Sequence, residues 1–182
     1  THHIIPDRLE AGALLLAACI TKGSIHLPNA RADHMDLFLD KLKEMGHLIT
    51  VGTNPTPGSP LAGINLVAAS WPMPISLKTA PYPGFPTDLQ APTMAVLCLA
   101  NGTSIIEETV FENRLIHVKE LQKLGGEITI EGNKALIHGV DALYGTNVIA
   151  TDIRASSALV IAGLAAQGTT QITGIHHWRR GY

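Results

Sequence analysis

Four charged residues, Asp88, Arg114, Arg154 and Arg180, hold matched places in a chain that repeats itself. The repeat reads DRLEAGALLLAACITKGSI from Asp7, DLQAPTMAVLCLANGTSI from Asp88 and DIRASSALVIAGLAAQGTTQI from Asp152. Each copy is an aspartate, an alanine-rich apolar run and a small-residue turn on a glycine, and repetition at this scale decides architecture. With the copies aligned on Gly23, Gly102 and Gly168, the residues twelve later are Met35, Arg114 and Arg180, and those fourteen earlier are Leu9, Asp88 and Arg154. Copies two and three thus carry charge where copy one is apolar. Symmetry brings such positions to one face. Two or three guanidiniums and a carboxylate there suit a substrate bearing phosphate or carboxylate groups, which arginine can grip with two parallel hydrogen bonds. Arg154 also falls near a helix N-terminus, where the dipole favours anions.

Each of these residues also has a structural reading. Asp7 and Asp152 lie sixteen residues before their glycines, which is explained by N-capping, although Arg154 two residues on leaves Asp152 open to a second role. Asp88 is two residues out of that register, so capping explains it less well. Arg114 can alternatively pair with Glu112 on the surface. His2, His3, His176 and His177 form two pairs without a second cluster at metal spacing, so no metal is expected. The run from Lys41 to Glu44 reads as a solvated helix face.

The elements that must position these residues follow from hydrophobic spacing. The first helix of each copy, beginning near Glu10, Ala91 and Ala155, is apolar almost all round and should be buried on every side, with the glycine as its C-terminal cap. Short β segments SIHL, SIIEE and TTQIT follow. The second helix is amphipathic, with Met35, Phe38, Leu42 and Met45 in copy one and Leu115, Val118, Leu121 and Leu124 in copy two. Strands EITIE and ALIHG turn at residues 131–134. The unit is βαβαββ, with helices inside and sheets outside. Residues 53–60 (TNPTPGSP) read as a surface loop, and 80–88 (APYPGFPTD) as a proline-stiffened stretch that fixes Thr87 and Asp88. The 182 residues are expected to make one incomplete domain, 1–182, with repeats near 4–79, 80–147 and 148–182, the third cut short.

A formal charge of −2 gives no broad positive field for nucleic acid or an anionic membrane. No apolar run reaches the roughly 20 residues that span a bilayer, and Thr1 opens no signal-peptide pattern. Aromatics make up only 4% of the chain, so Ala, Leu, Ile and Val must fill the core. Cys19 and Cys98 sit inside apolar runs and read as small buried hydrophobes, consistent with a reducing cytoplasm.

Five ordered motifs, PDRLEAG (6–12), PGFPTDLQAP (83–92), ETVFENR (108–114), ATDIRAS (150–156) and RGY (180–182), resemble the UDP-N-acetylglucosamine 1-carboxyvinyltransferase branch of the enolpyruvyl transferases. The resemblance spans essentially the whole chain. It implies an inside-out α/β barrel of three βαβαββ units, one of two such domains that close on substrate. It implies transfer of the enolpyruvyl group from phosphoenolpyruvate to the 3-hydroxyl of UDP-N-acetylglucosamine in peptidoglycan synthesis, with no cofactor. By the same resemblance, Asp88 contacts the sugar hydroxyl and takes its proton, while Thr87 and Val110 line the UDP-sugar site. Arg114 and Arg154 face the enolpyruvyl carboxylate, Arg180 closes onto phosphoenolpyruvate, and Asp152 organises Arg154. Trp178-Arg179 stand before Arg180 where the family usually has an acidic residue, which leaves Arg179 a rival for the phosphate. The family's Lys-Asn pair and loop cysteine belong to an amino-terminal domain outside this chain, so the chain alone is expected to be inactive. Alternatives are the sister 5-enolpyruvylshikimate-3-phosphate synthases and a non-catalytic repeat domain that binds an anionic ligand.

Overall fold

A computed structural model describes residues 2, 4–52 and 62–180, with the side chain of Arg180 excepted. The 53–60 loop therefore lies outside the described residues. Three helices, α1 (Arg8–Ile20), α3 (Gln90–Leu97) and α5 (Ile153–Ala165), touch one another and form the centre of the core. All eight residues of α3 are buried, including Gln90 and Thr93, so it has no solvent face. Its alanines, and those of α1 and α5, keep the helices slim enough to pack this closely. Burial on every side holds for α3 but not for its partners. Leu14 of α1 is 44% exposed and Leu164 of α5 is 55% exposed.

Nine strands among the described residues lie outside the helices. The first sheet takes the order β1-β3-β2 and is antiparallel, from β1 (Ser24–Leu27), β2 (Leu48–Val51) and β3 (Ile64–Val67). The second takes the order β4-β5-β7-β6, from β4 (Ser76–Lys78), β5 (Thr103–Glu107), β6 (Glu127–Glu131) and β7 (Lys134–His138). Here β4 is parallel to β5 while the rest pair antiparallel. The third is the parallel pair β8 (Asn147–Ile149) and β9 (Gln171–Thr173). The sheets stay separate, so the described residues form a mixed α/β domain without a closed barrel. No helix among the described residues is long and apolar enough to cross a membrane.

Parallel neighbours need a crossover between them, and a helix supplies it twice. The chain runs β4, α3, β5 and again β8, α5, β9. Asp88 lies in the stretch between β4 and the start of α3, Arg154 lies in the first turn of α5, and α3 packs on α5. Side-by-side packing of two equivalent crossovers is what brings these residues together across 66 positions of sequence.

The outer helices α2 (Asp36–Glu44) and α4 (Val118–Lys123) bury one face each, with Phe38, Leu39 and Leu42 inward on α2 and Val118 and Leu121 on α4. α4 is shorter than its apolar spacing suggests. Residues 112–117 are turns, and Val118 N–H bonds the Leu115 carbonyl only three residues back, so the spacing from Leu115 begins as a tighter turn before the α-helix. The Lys41 face is not simply solvated, since Lys41 Nζ donates to the Ser76 carbonyl at 2.7 Å and ties α2 to β4.

The glycines that end helices are not those of the alanine-rich runs. After α1 the left-handed residue is Lys22, at φ 52°, and α3 ends at Leu97, well before Gly102. Gly46 and Gly125 hold that position for α2 and α4, at φ 90° and 99°. His47 N–H reaches back to the Leu42 carbonyl and Gly126 N–H to the Leu121 carbonyl, closing both helix ends.

Asp7 caps α1 by accepting from the backbone N–H of Leu9 at 2.7 Å and of Glu10 at 3.3 Å. Asp7→Ala is expected to cost about 1 kcal/mol of stability, read from denaturant midpoints.

His117, buried beside α4, gives the fold an acid limit. Burial pushes its pKa down to about 4, against weaker opposing effects of the Asp152 charge and a hydrogen bond with the Arg114 backbone. The ring is therefore neutral in the fold, whereas the unfolded chain binds a proton below about pH 6.5. Stability is full above that value and falls as pH drops towards 4, by roughly 3 kcal/mol in all. Thermal midpoints between pH 7 and pH 4 are expected to fall less steeply for His117→Phe than for the wild type. Parallel profiles would mean that other groups set the acid limit.

Candidate active site

The loop before α3 is built to hold its residues still. Phe85 is buried, Ala80 N–H bonds the Phe85 carbonyl, and Gly84 N–H bonds the Pro81 carbonyl at 2.7 Å. The Tyr82–Pro83 peptide is cis. The chain then enters a 3-10 turn, Thr87–Leu89, directly before α3. Asp88 is on this turn and caps no helix.

Instead, the Asp88 carboxylate meets two arginines. Arg154 Nε donates to Asp88 Oδ1 at 2.5 Å, and Arg114 Nη1 lies 3.6 Å from the same oxygen. All three side chains are partly buried, which weakens screening by solvent. The 3.6 Å approach is longer than a hydrogen bond, so the Arg114 contribution is Coulombic, and its guanidinium also lies 4.1 Å from the centre of the Phe111 ring. Arg114 thus turns to Asp88 and Phe111, not to a surface pairing with Glu112. One carboxylate between two guanidiniums leaves a net charge of +1, so the cluster can still take an anionic group.

Asp152 has the capping geometry. It begins α5, and its Oδ1 accepts from Arg154 N–H at 2.8 Å and Ala155 N–H at 2.9 Å. The same carboxylate that caps α5 therefore holds the backbone from which Arg154 extends. The backbone of Arg180 lies in a short 3-10 turn, Trp178–Arg180, in contact with α5, while its side chain is outside the described residues. Arg179 is exposed.

Thr87 and Val110 are joined by a residue to which the sequence reading gave no role, Glu108. Its side chain is buried, with 2% exposure for the residue as a whole. One oxygen accepts from the Thr87 hydroxyl at 2.8 Å, and the other from the Thr79 hydroxyl at 2.8 Å, Val110 N–H at 2.9 Å and Phe111 N–H at 3.2 Å. The only sequence signal was its place at the end of a strand, first in ETVFENR; partners 21 and 29 residues away in sequence leave no local pattern. A cleft of about 680 Å³ opens beside this loop, lined among others by Glu108, Phe111, Arg114, Ile116 and Asn133.

Residues 1–182, the whole chain, match the family described as EPSP synthase (3-phosphoshikimate 1-carboxyvinyltransferase). The chain is 46% identical over 181 residues to the UDP-N-acetylglucosamine 1-carboxyvinyltransferase of Geobacter metallireducens, covering 100% of this chain and 42% of that protein. It is 48% identical over 183 residues to the protein of the same name from Novosphingobium aromaticivorans, covering 100% and 41%. Among solved structures, the enolpyruvyl transferase NikO from Streptomyces tendae superposes with a TM-score of 0.84 at 28% identity, over 98% of this chain and 41% of that one. EPSP synthase from Acinetobacter baumannii gives 0.71 at 18% identity, over 92% and 41%, a likeness of fold. The chain spans about two-fifths of the length of these relatives. A match over every residue, together with helices, sheets and charged cluster in this arrangement, places the chain in the EPSP synthase family of enolpyruvyl transferases.

Proposed function

We propose that this chain is the larger part of one domain of a cytoplasmic UDP-N-acetylglucosamine 1-carboxyvinyltransferase, made of three βαβαββ units that close into an inside-out barrel in the whole protein. The reading rests chiefly on Asp88 held between Arg114 and Arg154, in a chain with 46–48% identity to proteins of that name. Substrates are UDP-N-acetylglucosamine and phosphoenolpyruvate, which bind between this domain and an amino-terminal one.

In the reaction the 3-hydroxyl oxygen of the sugar bonds to C2 of phosphoenolpyruvate, its proton leaves to a base, and C3 gains a proton. The tetrahedral product then loses phosphate and a C3 proton, restoring the double bond as an enol ether. Asp88 supplies the base at the hydroxyl. Thr87 and Val110 bound the sugar side. Arg114 and Arg154 hold the carboxylate of the donor and Arg180 its phosphate, so their charges are already in place as negative charge moves to the leaving group. Asp152 sets the root of Arg154. The proton for C3 comes from the amino-terminal domain.

Phosphate release is the test. The full-length protein is expected to release phosphate from phosphoenolpyruvate with UDP-N-acetylglucosamine as acceptor and not with shikimate 3-phosphate. Activity with shikimate 3-phosphate alone would transfer the assignment to the sister branch. The 182-residue chain by itself should release none, and steady turnover by it would refute the need for a second domain.

A further inference from the structure

We propose that Glu108 is a positioning residue of this site, fixing Asp88 and Arg114 relative to each other through Thr87 and the Val110 amide. The proposal rests on the enolpyruvyl-transfer reading and adds to it a residue that touches no substrate.

A buried carboxylate is costly unless its oxygens are fully used. Among the described residues, the four donors to the Glu108 carboxylate are uncharged: two hydroxyls and two backbone amides. An apolar side chain would fill the same space without the cost of desolvating a charge, so core packing alone does not account for a carboxylate here. What an apolar residue cannot do is clamp three segments at once. Oε2 holds Thr87, the neighbour of Asp88, at the entrance to α3. Oε1 holds the Val110 and Phe111 amides, at the start of the turn that carries Arg114. Thr79 at the end of β4 completes the clamp, since its hydroxyl donates to Oε1 while accepting from Thr109 N–H at 2.9 Å. The Glu108 backbone is itself pinned on the β6–β7 turn, with N–H to the Asn133 carbonyl and carbonyl to Asn133 Nδ2, both at 2.9 Å.

This arrangement sets the one loose dimension of the charged cluster. Arg154 is locked to Asp88 by a short hydrogen bond, but Arg114 stands 3.6 Å away, and its loop is referenced to Asp88 through Glu108. A shift of about 1 Å in such a constellation can cost of order 10²-fold in rate.

Glu108→Gln keeps the shape and leaves one oxygen for the Val110 side, but it turns an amide N–H towards the Thr87 hydroxyl and removes the charge. Thr87→Val deletes only the hydroxyl that meets Oε2. In the full-length enzyme, kcat per titrated active site is expected to fall about 10-fold or more in Glu108→Gln and several-fold in Thr87→Val. KM for phosphoenolpyruvate should stay within about threefold, and the double variant should be no slower than Glu108→Gln. A merely structural glutamate would lower the thermal midpoint and the fraction of active protein, leaving kcat per active site unchanged; that result, or losses that simply multiply in the double variant, overturns the proposal. Should Glu108→Gln fail to fold, Thr87→Val decides alone, with wild-type kcat counting against. An inactive wild type removes the transfer reading and this role with it, whereas an active wild type with unchanged variants removes this role only.

Discussion

Asp88→Ala is expected to lower turnover of the full-length enzyme by about 10²-fold or more, the usual scale for losing a positioned acid–base group. The substitution removes the acceptor of the Arg154 Nε hydrogen bond and the charge opposite Arg114, so it also leaves two guanidiniums without their shared anion. Asp88→Asn separates these effects. Its Oδ1 can still accept from Arg154 Nε, keeping that arginine in place, but its amide cannot take a proton. Loss of similar size in both variants assigns the proton to Asp88. Near-normal turnover in Asp88→Asn with loss in Asp88→Ala would reduce Asp88 to an anchor for Arg154. Asp7→Ala is the matched control, removing the cap of α1 at about 1 kcal/mol with turnover unchanged. Steady-state rates and thermal midpoints of the three variants distinguish these outcomes.

The cluster was legible before any coordinates because it is a product of repetition. Asp88 and Arg154 share one register before their glycines, so equivalent crossover helices packed side by side must bring them together, and α3 and α5 do so. The capping roles of Asp7 and Asp152 were also local, readable from an aspartate directly before an apolar run. Three features were not readable. The alanine-rich helices all end before their glycines and in different ways, α1 at the left-handed Lys22, α3 at Leu97 and α5 where Ala166 turns extended. The late start of α4 depends on the turn from Leu115 to Val118, which closes over three residues and not four while keeping the apolar spacing that reads as helix from Leu115. Glu108 depends on Thr79 and Thr87, distant in sequence and outside the symmetry, so neither periodicity nor repeat alignment points to it. Symmetric features were visible in one sequence; those that bridge different parts of a unit needed the fold.

Arg154→Lys is expected to raise KM for phosphoenolpyruvate by about 10- to 100-fold and to lower kcat as well, although the positive charge is kept. Arginine has five donors in a planar fork, and Nε alone is committed to Asp88. Among the described residues no partner is recorded for the terminal nitrogens of Arg154, which the proposed reading gives to the donor carboxylate. A lysine ammonium is a single point that cannot reproduce this fork on both sides. Either Asp88 loses its orienting hydrogen bond, which slows the base, or the donor carboxylate loses a charge-assisted bond worth about 1.5–3 kcal/mol. Arg114→Lys should be milder, within about tenfold, because its link to Asp88 is Coulombic at 3.6 Å and a lysine can still lie over the Phe111 ring. The ratio of the two effects carries the prediction, since both substitutions conserve charge and differ only in the geometry they remove. Initial rates against phosphoenolpyruvate, at saturating UDP-N-acetylglucosamine, give KM and kcat for each. If the two variants lose equally, charge alone is what the site requires. If Arg154→Lys stays within threefold of wild type, Arg154 serves Asp88 only and the donor carboxylate must be held by Arg114 and by arginines elsewhere.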